Sequence, residues 1–152
     1  VNIAPNAFLE SLARIEPGVW GWPCAVTLID GSSHELCLAW ENKRYSDKGD
    51  WLNPNVVREI HESNSRMPAM LARSIHEAGE SGMGYHIYVV ELSDGGSFVH
   101  VAGNLLIDLV DLPDAYTSRD IVNVFPHVGR ERSCTESYRE VREYMSLEFI
   151  RG

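Results

Sequence analysis

Tyr85-His86-Ile87-Tyr88-Val89-Val90-Glu91-Leu92-Ser93-Asp94-Gly95-Gly96-Ser97-Phe98-Val99-His100-Val101-Ala102 is the stretch on which the fold turns. Two runs rich in β-branched and aromatic residues flank the turn signal Asp94-Gly95-Gly96, so the chain is expected to double back here as an antiparallel hairpin. Strand alternation then sorts the side chains onto two faces. Ile87, Val89, Val99 and Val101 form one; His86, Tyr88, Val90, Phe98 and His100 form the other. The aliphatic face reads as the one that helices cover. The second face mixes aromatic rings with two imidazoles, which suits a ligand cleft or a protein interface. His86, Tyr88, Phe98 and His100 are therefore the expected ligand-binding or interface residues.

Downstream, Gly103-Asn104 is expected to turn the chain into a third strand over 105–110, or else Gly103 is a bulge in one long strand. Residues 121–125 read as strand or short helix, ended by Pro126 and Gly129. Ser133 with Glu136 and Ser137 with Glu140 both fit the capping-box spacing. They precede a predicted last helix carrying Tyr138, Val141, Met145 and Phe149 on one stripe.

Upstream, Asn6 opens a predicted helix with Phe8, Leu9, Leu12 and Ile15 at helical spacing, stopped by Pro17-Gly18. Residues 25–29 and 35–40 form a hairpin around Asp30-Gly31. Asn53-Pro54 supplies a cap and a first-turn proline for a helix through Val56, Val57 and Ile60. A second helical piece begins at Pro68, turns Met70, Leu71 and Ile75 inward, and closes at Gly79, Gly82 and Gly84. Strands joined by tight turns are antiparallel, so the order predicts an α+β fold: a largely antiparallel sheet of about five strands with helices packed mainly on one face. No linker or repeat divides the 152 residues, which are expected to form a single globular domain.

The formal charge of -9 lies wholly in residues 1–118, because acids and arginines balance over 119–152. An acidic surface repels phosphate backbones, so no nucleic-acid partner is expected. Apolar runs fall far short of the roughly 20 residues of a spanning helix. No membrane partner is expected, and the opening residues do not read as a secretory signal. Cys24, Cys37 and Cys134 are odd in number and irregularly spaced, which fits free thiols and a cytoplasmic setting.

Each chemical constellation has a plainer reading. With Ser93 paired to Ser97, His100 would lie opposite Val90, on the order of 13 Å from His86. That is too far for one ion, and no zinc-type or calcium-type spacing occurs, so neither metal nor cofactor is expected. Asp30 with Glu41 and Lys43 matches a nuclease spacing, but the hairpin separates them. Cys134 falls where the last helix should begin, just after Arg130 and Arg132, and both features favour thiolate. His127 could serve as its base. A phosphatase-like signature would need five residues between cysteine and arginine, and Arg139 follows after four. The backbone of 129–133 could instead hold a small anion. Ser81 lacks the second glycine of a nucleophile elbow. Asp108, Asp111 and Asp114 read as solubilising charges. Trp20, Trp22, Trp40 and Trp51 are core anchors, with Trp22 and Trp51 partly exposed.

Together these residues predict a noncatalytic binding domain, a homodimer whose histidine and aromatic sheet face meets a second subunit or a small ligand. A small enzyme using Cys134 and His127, or a sheet histidine, is the first alternative. An acidic protein that neutralises a basic partner is the second.

Overall fold

The structure is a computed structural model that describes residues 2–42, 50–127 and 137–152. The fold is α+β, with two helices and seven strands of six or more residues in two mostly antiparallel sheets of four and three. The class and the two hairpins are those read from the sequence, but the strands divide between two sheets instead of gathering in one.

The first sheet holds β2 (Trp22–Leu28), β3 (Ser33–Glu41), β5 (Val57–Glu62) and β9 (Met145–Ile150) in the order β9-β3-β2-β5. Two short strands, β1 (Asn2–Ile3) and β4 (Asp50–Leu52), pair parallel with successive parts of β9. The β2–β3 turn forms as expected: the Asp30 carboxylate accepts the backbone N–H and hydroxyl of Ser32, and Gly31 takes φ +89°. Helix α1 (Asn6–Leu12) lays Phe8 and Leu12 on this sheet, against Cys24, Val26, Cys37, Ile60, Leu147 and Phe149.

The second sheet is β7-β6-β8, comprising β6 (Tyr85–Leu92), β7 (Ser97–Gly103) and β8 (Ile121–Pro126), all antiparallel. Helix α2 (Ala69–Ala78) packs Ala72 and Ile75 against it. Leu38 and Trp40 of the first sheet meet Leu109 of the loop after β7, so the two layers share a boundary. No described helix is long and apolar enough to cross a membrane.

Three local expectations change. Asn53 caps only a single 3-10 turn, Pro54–Val56, before the β-branched residues continue as β5 against β2. Residues 105–110 are not a strand; a 3-10 turn, Asn104–Leu106, follows β7, and β8 supplies the third strand. The end of the chain is strand, not helix. Met145, Leu147 and Phe149 fit period two as well as Met145 and Phe149 fit period four, and parallel pairing with β3 decides between them. The cap at Ser133 lies outside the described residues.

Candidate functional site

The hairpin places Tyr88 opposite His100 and His86 opposite Ala102. This register is shifted by two residues from the one that Ser93–Ser97 pairing implied. Parity is unchanged, so the two faces contain the residues that alternation assigned to them. Their surroundings, however, differ from the expectation: Ile87, Val89 and Val99 are buried, but the helix lies on the other face. α2, Met67, Ile107 and Val110 cover the ringed face, and Tyr88 and His100 have no exposure. His86 is also buried and Phe98 is half-buried against the same cluster. The chain itself fills this face because the rings supply the volume that α2 must pack against. The four residues offer no open cleft.

Their polar atoms are occupied as well. The Asp111 N–H donates to His100 Nε2 at 3.0 Å, so the ring proton sits on Nδ1 and donates to Tyr88 Oη at 2.8 Å. Burial, reinforced by the Arg139 guanidinium, pushes the His100 pKa down to about 3, which keeps the imidazole neutral. Burial also pushes the Tyr88 phenol well above its usual range, with the Asp108 charge adding to the effect. His86 donates Nδ1–H to the Gly79 carbonyl at 3.0 Å, and its Nε2 lies 3.2 Å from the Asn104 amide oxygen. Neither ring has a nitrogen free for proton transfer. Among the described residues no group of three His, Cys, Asp or Glu side chains could hold a metal ion.

His127 meets a hydroxyl, that of Ser81. Its Nε2–H donates to the Ala78 carbonyl at 2.8 Å, so Nδ1 accepts the Ser81 hydroxyl at 3.2 Å. A serine on an imidazole is the first half of a nucleophile–base pair. Here Ser81 is buried, its oxygen accepts the Ile87 N–H at 2.8 Å, and its own N–H is taken by the Tyr85 carbonyl. With its oxygen and N–H engaged by Ile87 and Tyr85, Ser81 joins His127 in clasping the turn before β6 to the end of β8. Cys134, Arg130, Arg132 and the 129–133 anion site lie outside the described residues, as does Lys43.

Asp108 was missed. Instead of solubilising an edge, it is fully buried and accepts the N–H groups of Val19 at 2.7 Å and Trp20 at 2.8 Å. Its partner loop is nearly ninety positions away, so nothing local marks it. Arg66, also buried, donates to the Glu16 carbonyl and to Glu62.

An open feature lies elsewhere. A cleft of about 310 Å³ runs between the end of α1 and β5, lined by Ser11, Arg14, Ile15 and residues 58–62. β5 is the last strand of its sheet. Ser63, one residue beyond it, donates its N–H to Pro23 of β2. Antiparallel alternation therefore turns the backbone groups of Ile60 and Glu62 away from β2, and no hydrogen bond from them to another described residue exists on that side. Ile60 is buried under α1, whereas Arg58, Glu59, His61 and Glu62 are exposed. The site thus combines unpaired backbone donors and acceptors, an apolar floor and four charged or titratable side chains. No family model, no curated protein and no solved structure matches the chain.

Proposed function

We propose that this protein is a noncatalytic binding domain that works by strand addition at the outer edge of β5, and that a second copy of the chain is the partner. The observation that carries this reading is the charge order of the edge, Arg58-Glu59-Ile60-His61-Glu62. In an antiparallel pair related by a twofold axis through Ile60, Arg58 faces Glu62 of the second copy and Glu59 faces His61. The two Arg58–Glu62 pairs then join opposite charges, and the two Glu59–His61 pairs join a carboxylate to an imidazole. The outward backbone groups of Ile60 meet their own counterparts in the same register, as an isologous interface requires. Edge strands usually carry charge to prevent such pairing. A charge order that reads as its own complement removes that protection for a copy of itself and keeps it for other strands.

Each exposed cross-strand pair contributes only about 0.2–1 kcal/mol. The backbone ladder supplies the rest. Arg58→Glu sets carboxylates opposite each other at both ends of the ladder and should weaken the dimer roughly tenfold or more, at about 1.4 kcal/mol per decade. The double exchange Glu59→His with His61→Glu should leave it intact, because each side chain still meets its complement. Sedimentation equilibrium over a micromolar concentration range reads both effects. A wild-type chain that stays monomeric at high concentration, or an Arg58→Glu chain that dimerises as tightly as wild type, defeats the proposal.

A further inference from the structure

We propose that Cys24 and Cys37 are a site of reversible intramolecular disulfide formation, closed by a small-molecule disulfide oxidant as the β2–β3 hairpin folds or opens. The two residues are direct Cα partners on the antiparallel β2–β3 ladder. Partners of either ladder type stand about 4.5–5.5 Å apart at Cα. That spacing lies within the roughly 4.4–6.8 Å that a disulfide tolerates. Both side chains point to the same side, into the cluster beneath α1. The Cys24 thiol leans onto the opposite strand and donates to the Cys37 carbonyl at 3.6 Å. The Cys24 thiol and burial together hold the Cys37 thiol well above its ordinary pKa, so the reduced pair in the closed fold is inert.

Neither cysteine has any exposure, and both lie on central strands of the first sheet. Reaction therefore belongs to the chain before β2 and β3 are covered, or to their transient opening. The electron balance is simple. One cysteine, as thiolate, attacks a sulfur of the oxidant disulfide and expels one thiolate. The other cysteine, as thiolate, attacks the protein sulfur of that mixed disulfide and expels the second. The protein loses two electrons and two protons, and the oxidant becomes two thiols. The odd cysteine count is then one pair plus Cys134, not three unrelated thiols.

The test is to unfold and reduce the protein, refold it in mixtures of reduced and oxidised glutathione, alkylate the remaining thiols, and map the peptides by mass spectrometry. The expected product has a Cys24–Cys37 linkage and an alkylated Cys134, and it unfolds at a higher denaturant concentration than the fully reduced chain. In Cys37→Ser the linkage disappears and Cys24 alkylates. The inference fails if all three thiols alkylate at every glutathione ratio or if the linkage joins Cys134 to either partner. It fails also if the linked chain unfolds at a lower denaturant concentration than the reduced one, because closure would then work against the native register. A Cys134→Ser chain that still forms the linkage excludes a route through the third thiol.

Discussion

A Cβ added to Gly18 would collide with the Asp108 carboxylate, whose two oxygens accept the N–H groups of Val19 and Trp20. Gly18→Ala must therefore displace the acid or the loop, and either move strips a buried carboxylate of its donors. The expected loss is about 2–4 kcal/mol of stability, read as a lower urea midpoint. A change no larger than that of an exposed control with ordinary backbone angles, such as Gly103→Ala, would mean the loop simply shifts. The same carboxylate shows what sequence could not deliver. Asp108, Asp111 and Asp114 look alike in the chain, yet only Asp108 is turned inward, by a loop that topology brings to it.

His100 gives the pH dependence a sign. Its pKa falls from 6.5 to about 3 on folding, so the unfolded chain binds a proton that the native ring refuses. Its contribution is complete above 6.5 and shrinks as pH falls toward 3, by roughly 1.4 kcal/mol for each pH unit in between. Asp108 acts oppositely: burial raises its carboxyl, against the bonds from Trp20 and Val19 and the charge of Arg66. Its contribution is complete at low pH and is lost as pH climbs through the raised value. His100→Gln should flatten the fall in urea midpoint between pH 6.5 and 4. An unchanged slope would mean that the ring titrates normally and that the Tyr88–His100–Asp111 chain is not closed.

At the scale of elements, hairpins were legible and long-range strands were not. β2 with β3 and β6 with β7 each carry their own turn signal, and partners a few residues apart need no tertiary information. β5 and β9 read as helices because Val56, Val57 and Ile60, or Met145 and Phe149, satisfy helical spacing too. Their strand state comes from β2 and β3, which local pattern cannot reveal. Phe149 tests the outcome. It has no exposure and sits edge-on to Phe8, with ring centroids 5.3 Å apart, and near Trp22 at 5.9 Å. Phe149→Ala should cost about 3–5 kcal/mol. A terminal helix lying loosely on the surface would lose far less, so a loss under 1 kcal/mol in denaturant unfolding would contradict β9. Gly79 ends α2 at φ 84° and ψ 173°, a region open mainly to glycine. Gly79→Ala should cost about 1–3 kcal/mol through backbone strain alone, because no atom lies within 4 Å of the new methyl.

For the whole molecule, the sequence carried the fold class but misassigned which side of the hairpin α2 covers, and both sides are buried. Alternation separates two faces; it does not say which one another layer will choose. The large rings of Tyr88 and Phe98 belonged to the better-filled core, and the candidate site moved to an edge strand that had been read as helix. Net charge acts at this scale too. The ion pairs Arg66–Glu62, Arg139–Asp111 and Arg151–Glu41 each leave at least one partner more than a quarter exposed, and salt weakens such pairs by fractions of a kcal/mol. Against them stands the mutual repulsion of a chain at -9, which salt relieves. The excess of acids is spread over many positions, whereas these three pairs are mostly wet, so relief should win. Raising sodium chloride from 10 to 500 mM at pH 7 is expected to increase the thermal midpoint by a few degrees, following about 2–4 °C per kcal/mol for a domain of this length. Scanning calorimetry at a fixed protein concentration, with Arg58→Glu run alongside to separate any dimer contribution, decides it. A midpoint that falls with salt in both chains would mean that local pairs, not the overall charge, dominate the electrostatics of this fold.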